Sequence, residues 1–312
     1  MILRFSLFTF LISLALGTAA LPQTSIYDQA HELWRQNKNA EAMVLLDRAL
    51  ATNPKQAKLL VLRGDVKDAQ EDYTGAIVDY SAAIAINPDY EYAYATRCDT
   101  RGTIGDYKGA YEDCAKAISL DPQDPYAYRA FAGAEYYDGK ANEALAHITK
   151  SISLDNAVSR SFALTCGILR DLKQYDKAQE NCNKAIALDA TYAWPYYNRG
   201  RVDLAQQNWA QAVADFKTYL KMGVSEPYAN YNIALADLQL KDYAEALVNI
   251  NVYRVHHQDD PDGYILRARA YAGLGKVAPA IEDATAALRH YRIDANDEGA
   301  ADAQALLDSL KH

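Results

Sequence analysis

Small residues recur along this chain at a fixed interval of 34. Stepping from Ala42 reaches Ala76, Ala110, Ala144, Ala178, Ala212, Ala246 and Ala280, with no insertion between any two stops. Take that alanine as position 20 of a unit starting at Gln23. Position 8 then reads Ala30, Gly64, Cys98, Ala132, Cys166, Gly200, Ala234 and Ala268. Positions 4, 7, 8 and 11 form one stripe of helical period, and positions 20, 24 and 27 form another. Each unit therefore predicts two amphipathic helices joined by a turn near position 16. One such pair cannot bury its own apolar face, whereas stacked pairs share a continuous core. The tail "ANDEGAADAQALLDSLKH" puts Ala303, Leu306, Leu307 and Leu310 on one face. It reads as a terminal helix (295–312) covering the last unit. In unit three the first stripe is Tyr94, Arg97, Cys98 and Arg101; the arginines are expected to lay their stems on the apolar face with their heads in water.

"GDYKGAYEDCAKAISLDP" and "LKDYAEALVNINVY" resemble the tetratricopeptide repeat, and the spacing of 34 holds from Gln23 to Asp294. The resemblance implies an all-α fold, a right-handed α-solenoid of eight helix-turn-helix repeats over residues 21–294, starting at 23, 57, 91, 125, 159, 193, 227 and 261. Units six and seven depart from the pattern. Tyr219 and Tyr253 stand at position 27, which is small elsewhere, and no proline follows at position 32. Packing among units six, seven and eight is expected to differ there.

Positions 8 and 24 should face each other at one height on antiparallel helices. Gly64 goes with Tyr80 and Gly200 with Phe216, while Ala30, Ala132 and Ala234 go with Leu46, Ile148 and Ile250. The smallest residue takes the largest partner, as close packing requires; Ala268 with Ala284 breaks the trend. In the remaining units the pairs are Cys98 with Cys114 and Cys166 with Cys182, so two disulfides are expected.

The compartment agrees with that chemistry. Residues 1–20, MILRFSLFTFLISLALGTAA, run from one cation (Arg4) through an apolar stretch to small residues, the layout of a secretory signal. The apolar stretch is short for a helix that must cross about 30 Å of hydrocarbon. Without that segment the chain has 31 basic and 41 acidic residues, a net charge of −10. Such a balance argues against nucleic acid, whose binders carry basic faces. A secreted or periplasmic protein with no stable membrane insertion is expected.

Motifs of enzymes are missing: there is no GxxxxGK[ST], HExxH or GxSxG. Gly273 and Gly275 fall at an interhelical turn, which explains them. His256 and His257 end a helix, where histidine suits the helix dipole. "DANDEG" starts like a calcium loop, but its twelfth position is Ala305 where a bidentate glutamate is needed. No enzyme activity, cofactor or metal is expected.

What remains is the stripe at positions 2, 5, 9 and 12 of the first helices, which in the resembled family lines the concave groove. It carries Tyr92, Tyr126, Arg129, Tyr136, Arg160, Arg170, Trp194, Tyr197, Arg201, Tyr228 and Tyr231, with Asn198 and Asn232 at position 6. Aromatics and arginine are frequent interface anchors, and an asparagine can bond both polar groups of an extended backbone. The expected role is an interaction scaffold for an extended, acidic peptide segment of a protein partner. The alternative is an assembly factor using the convex face or the ends. Some members of the resembled family clamp the C-terminal carboxylates of cytosolic chaperones with a lysine at position 5 and an asparagine at position 9. No unit here supplies either residue, so that activity is not carried over.

Mass spectrometry of the mature protein should find its N-terminus within a few residues of Leu21. Without reduction, the same material should yield peptides linking Cys98 to Cys114 and Cys166 to Cys182. An intact Met1 on soluble protein, or a Cys98–Cys182 link, would contradict this reading.

Overall fold

The computed structural model describes residues 25–224 and 226–311, and the expected leader lies outside them. Among the described residues there are 17 helices and no strand. The chain divides between Ile86 and Asn87 into two compact units. The first holds α1 (Ile26–Arg35), α2 (Asn39–Thr52), α3 (Ala57–Asp68) and α4 (Tyr73–Ile86). The second begins with the pairs α5 (Glu91–Thr103) and α6 (Tyr107–Leu120), α7 (Pro125–Tyr137) and α8 (Ala141–Leu154), and α9 (Ser159–Asp171) and α10 (Tyr175–Leu188). It continues with α11 (Trp194–Ala205) and α12 (Trp209–Lys221), α13 (Pro227–Gln239) and α14 (Tyr243–His256), α15 (Pro261–Gly273) and α16 (Val277–Ile293), and ends in α17 (Asp297–Ser309). This is an all-α repeat solenoid.

Each turn between the helices of a pair is set by one residue. Position 15 has a positive φ in every repeat: Asn37, Glu71, Gly105, Gly139, Lys173, Gln207, Lys241 and Gly275. A left-handed residue just past a helix lets the next amides reach back to its last carbonyls. In repeat three the Asp106 amide bonds the Arg101 carbonyl at 2.9 Å and the Gly105 amide bonds Gly102 at 3.2 Å. The turn is therefore short and identical in length throughout, which locks the register of the two helices.

That register brings residues 16 apart into contact. The ring of Tyr80 occupies the space a Cβ at Gly64 would need, and a Cβ at Gly200 would stand 2.9 Å from Phe216. In the two cysteine repeats the same slots hold sulfur. Sγ of Cys98 is 2.02 Å from that of Cys114, and Sγ of Cys166 is 2.07 Å from that of Cys182, with Cα atoms 5.4 and 5.3 Å apart. These are disulfide distances.

One position earlier, the same spacing builds a charged clasp. Arg63 and Asp79, Arg97 and Asp113, Arg199 and Asp215, and Arg267 and Asp283 each form two parallel hydrogen bonds of 2.6–2.8 Å from Nε and Nη2 to the carboxylate. All four aspartates are buried. Arg101 adds a second bond to Asp113 at 2.7 Å, and Lys67 does so to Asp79 at 2.7 Å. The heads of Arg97 and Arg101 are thus not in water, as the apolar stripe had suggested. A fork matching a carboxylate is more favourable than hydration once the acid is buried opposite it. Nη1 of Arg63, Arg199 and Arg267 also reaches back to Asp47, Asn183 and Asn251 on the preceding repeat's second helix, at 2.9, 2.6 and 3.2 Å. Each of these arginines joins three helices.

Within the second unit, the first helices of successive repeats touch one another, and each second helix touches the next first helix. Ala303 and Leu307 of α17 join the cluster of Ile265, Ala268, Ala284, Ala287 and Tyr291. Tyr219 and Tyr253 do not disturb the packing among the last three repeats. They are 0% and 3% exposed, each filling the seam with one large ring where other repeats use a small residue.

Asp215→Ala should lower stability by about 2–4 kcal/mol, because it strands a largely buried guanidinium. Replacing Arg199 and Asp215 together by leucine should cost far less. Urea unfolding followed by circular dichroism decides between them. Equal losses for both variants would contradict the clasp.

Repeat seven replaces the clasp with Ile233, Asn249 and a buried Asp237, whose nearest donor is the Asn249 amide at 3.5 Å. Burial raises the Asp237 carboxyl to about 6; Asp242 and Glu245 push the same way, and Lys217 opposes them. The folded state then holds a proton that the unfolded chain releases near its ordinary value of 3.8. Its stabilising contribution is complete below about pH 4 and is lost as pH rises through about 6. Asp237→Asn should therefore be more stable than the parent at pH 7.5 by ~1–3 kcal/mol, the gap closing towards pH 4. A difference independent of pH would rule this out.

Candidate ligand-binding face

Positions 2, 5 and 9 of each first helix lie on the side opposite the clasp, and in the second unit they form one face across α5, α7, α9, α11 and α13. At one end, Tyr92 and Tyr126 meet with ring centroids 5.5 Å apart, and the Tyr126 hydroxyl donates to Asp99 at 3.3 Å. The Arg129 guanidinium lies 4.8 Å above the Tyr126 ring. Arg160, on the next first helix, is exposed and stands 5.8 Å from the ring of Tyr192.

The centre of the face is an internal network. Arg170 is 7% exposed and its donors are committed: Nε to Asp171 at 2.8 Å, Nη1 to Asn198 at 3.0 Å and Nη2 to the Tyr136 hydroxyl at 2.9 Å. Tyr136 passes its own proton donor to Asp171 at 2.6 Å. Burial pushes the Tyr136 phenol up to about 12. Burial would raise Asp171 too, but the bonds from Arg170 and Tyr136 outweigh it and hold the carboxyl below its ordinary value. Asn198 gives its amide to the Ala163 carbonyl at 3.3 Å. Arg170 and Asn198 thus support the face rather than offer free groups. Both the amide oxygen and the amide nitrogen of Asn198 are engaged within the fold.

Beyond the network the face turns aromatic. Trp194 is 44% and Tyr228 50% exposed, each seated on a buried tyrosine of position 27. Trp194 lies 5.8 Å from Tyr219, and Tyr197 lies 5.1 Å from it. Tyr228 and Tyr231 stand 5.5 and 5.1 Å from Tyr253. The departure at position 27 is therefore what lifts these rings into place. Burial pushes Tyr231 up to about 12. Arg201, between the aromatic end and the network, is exposed.

Ion pairing divides the arginines of the first helices. Arg35, Arg63, Arg97, Arg101, Arg170, Arg199, Arg267 and Arg269 of the first helices all hold a carboxylate. Among the described residues Arg129, Arg160 and Arg201 have neither an ion pair nor a hydrogen bond. Asp99, at position 9 of the stripe, also shapes the face, as do Tyr192 and Asp171, which lie off the stripe and were missed by it. Tyr192 sits at position 34, where Asp124, Glu226 and Asp260 cap the following helix. An aromatic ring in a capping slot was the available signal. No group of three or more histidine, cysteine or acidic residues able to hold a metal occurs among the described residues. His257 stacks on Tyr253 at 4.2 Å, and Asp260 accepts the Tyr253 hydroxyl while capping α15.

The sequence profile of the tetratricopeptide repeat matches residues 27–91 and 197–249, and a second profile of that repeat matches 167–192. The chain carries tetratricopeptide repeats. Solved structures agree on the fold. A chain of the APC/C hetero-tetramer Cut9–Hcn1 superposes with a TM-score of 0.72 at 15% identity, over 92% of this chain and 55% of that one. The present chain spans about half its length. PilF of Pseudomonas aeruginosa gives 0.61 at 20% identity, over 69% and 96%. A tetratricopeptide repeat protein from Parabacteroides merdae gives 0.58 at 21%, over 68% and 82%. At such identities the likeness is one of fold.

In this tetratricopeptide array the Tyr219 hydroxyl is buried with no hydrogen-bond partner. An unsatisfied buried hydroxyl costs about 1–3 kcal/mol. Tyr219→Phe should raise stability by roughly 1 kcal/mol and leave the Trp194 fluorescence maximum unchanged. A loss of stability would mean that the hydroxyl is bonded in solution.

Proposed function

We propose that this protein is an exported, non-enzymatic interaction scaffold that holds an acidic segment of a protein partner along its first-helix face. Tetratricopeptide arrays are in general protein-interaction scaffolds. The observation that carries the reading is the contrast among arginines. Those facing the clasp are neutralised within the fold, whereas Arg129, Arg160 and Arg201 stand uncommitted among tyrosines. Arginine forks to carboxylates, and flat rings add contact area at low entropic cost. Trp194, Tyr197, Tyr228 and Tyr231 extend the surface beyond the charges. Two cysteine pairs at disulfide distance support an oxidising compartment, in keeping with the leader-like N-terminus.

A second reading rests on α14, whose outer side shows Val248, Val252 and Val255 at 59%, 45% and 66% exposure. An assembly partner could cover that second-helix face instead.

With a partner in hand, Arg201→Ala and Tyr197→Ala should each weaken binding by about 1–3 kcal/mol. Changes at exposed Lys150 or Lys184 should do little. Raising salt should slow association more than it speeds release, since exposed charges are screened beyond ~8–10 Å. If Val252→Asp abolishes binding while both first-helix variants bind normally, the second reading replaces the first.

A further inference from the structure

Position 2 of the first helices carries Arg160, Trp194 and Tyr228 in three successive repeats, each in the first turn of its helix, α9, α11 and α13. These helices touch in sequence, α9 with α11 and α11 with α13, and packed helix axes lie about 8–10 Å apart. Equivalent side chains on them therefore recur at roughly that interval. Trp194 meets Tyr197 edge-on at 5.6 Å and Tyr219 at 5.8 Å, while Tyr228 meets Tyr253 at 5.5 Å and His257 at 5.1 Å. Each half-exposed ring is thus held by two others, so binding has little more of it to order. The indole N–H of Trp194 has no hydrogen-bond partner among the described residues. Arg160 stands 5.8 Å from the ring of Tyr192, in the connection that leads directly into Trp194. The row ends at Asp262 of α15, which accepts the Tyr291 hydroxyl.

A ligand chain that sets one residue on each of these side chains needs a repeat of the same length. Polyproline II rises about 3.1 Å per residue with three residues per turn, so one face of it returns every ~9.3 Å. One face of an extended strand returns every ~6.7 Å, and that of an α-helix every ~5.4 Å. Of the three, polyproline II matches the row. We infer that the row receives a proline-rich segment in that conformation, with prolines three residues apart on Trp194 and Tyr228 and a carboxylate three residues from the nearer proline on Arg160. Proline packs its ring on an aromatic face and has little conformational entropy to lose. The carbonyls of such a segment have no internal hydrogen bonds, and the Trp194 indole can donate to one of them. Arginine forks to the carboxylate. The inference rests on the reading of this face as the docking surface for an acidic segment, and it gives that segment a conformation and a spacing.

The test is calorimetric titration of the whole chain with a Glu-Ala-Ala-Pro-Ala-Ala-Pro peptide. The comparison peptides carry glutamine for the acid, glycine for both prolines, or the prolines four apart, and oligoglutamate is the proline-free anion. The first peptide should bind at least about 10-fold tighter than the glycine or four-apart forms. Trp194→Ala and Tyr228→Ala should each weaken it about 10-fold and remove that discrimination. Trp194→Phe, which keeps a ring but loses the N–H, should lose about 3-fold. Arg160→Ala should cost the glutamate peptide about 5-fold and leave the glutamine peptide unchanged. All three side chains are exposed, so unchanged circular dichroism and melting temperature should accompany these losses. If oligoglutamate binds as tightly as the proline peptide, and Arg160→Ala or Arg201→Ala weakens it while Trp194→Ala does not, the polyproline inference is wrong and the docking face stands. If the proline peptide binds and neither ring variant weakens it, the inference is likewise wrong. If the parent binds neither the proline peptide nor oligoglutamate, both fall.

Discussion

The disulfides, the arginine–aspartate forks and the glycine–aromatic contacts within the repeats of this protein obey one constraint: the two helices meet in a register that puts residues 16 apart face to face. The single left-handed residue at position 15 fixes that register. Glycine against an aromatic ring, sulfur against sulfur and arginine against aspartate are three solutions to the same geometry. Gly64 with Tyr80, Cys98 with Cys114 and Arg97 with Asp113 all span the same interval. Slipping the register by one residue would set Arg97 against a sulfur and leave Asp113 buried without its fork. Such a slip is opposed by both packing and desolvation.

The register also decides what the outer side of the first helices can do. Positions 7, 8 and 11 turn towards the second helix, where arginine is neutralised. Positions 2, 5 and 9 turn away; there Arg129, Arg160 and Arg201 keep their donors, whereas Arg269 in the last repeat gives Nη2 to Asp302 of α17. Arg199 and Arg201 are two residues apart on α11, yet the first clasps Asp215 and the second is exposed with no such partner. A docking surface of uncommitted cations is thus a by-product of which helical face each arginine occupies. Tyr219 and Tyr253 add the other half, since each fills the seam from below and supports exposed rings above it.

Period, helix pairing and cysteine partners were all legible in the chain, because size at positions 8 and 24 varies in concert. The clasp at positions 7 and 23 varies in concert as well, with aspartate opposite each of its arginines and Phe131, Thr165 and Ile233 opposite histidine or asparagine. It was hidden by the assumption that arginine on an apolar stripe reaches for water. Arg170 was misjudged for a related reason. Its position is that of a groove residue, but Tyr136 and Asn198 on neighbouring repeats close over its head, a contact between units that no single-repeat pattern contains. Tyrosine at position 27 looked like a departure in packing because a larger residue in a tight seam usually is one; here both rings are accommodated, fully buried.

The central claim is that partners dock on the first-helix face, and site-specific photo-crosslinking in the native compartment tests it most directly. A photoreactive residue at Arg160 or Tyr228 should capture a partner through a segment rich in acidic residues, while one at Lys184 or Val248 on the second helices should not. Capture from Lys184 or Val248 alone, or through a basic segment, would contradict the account.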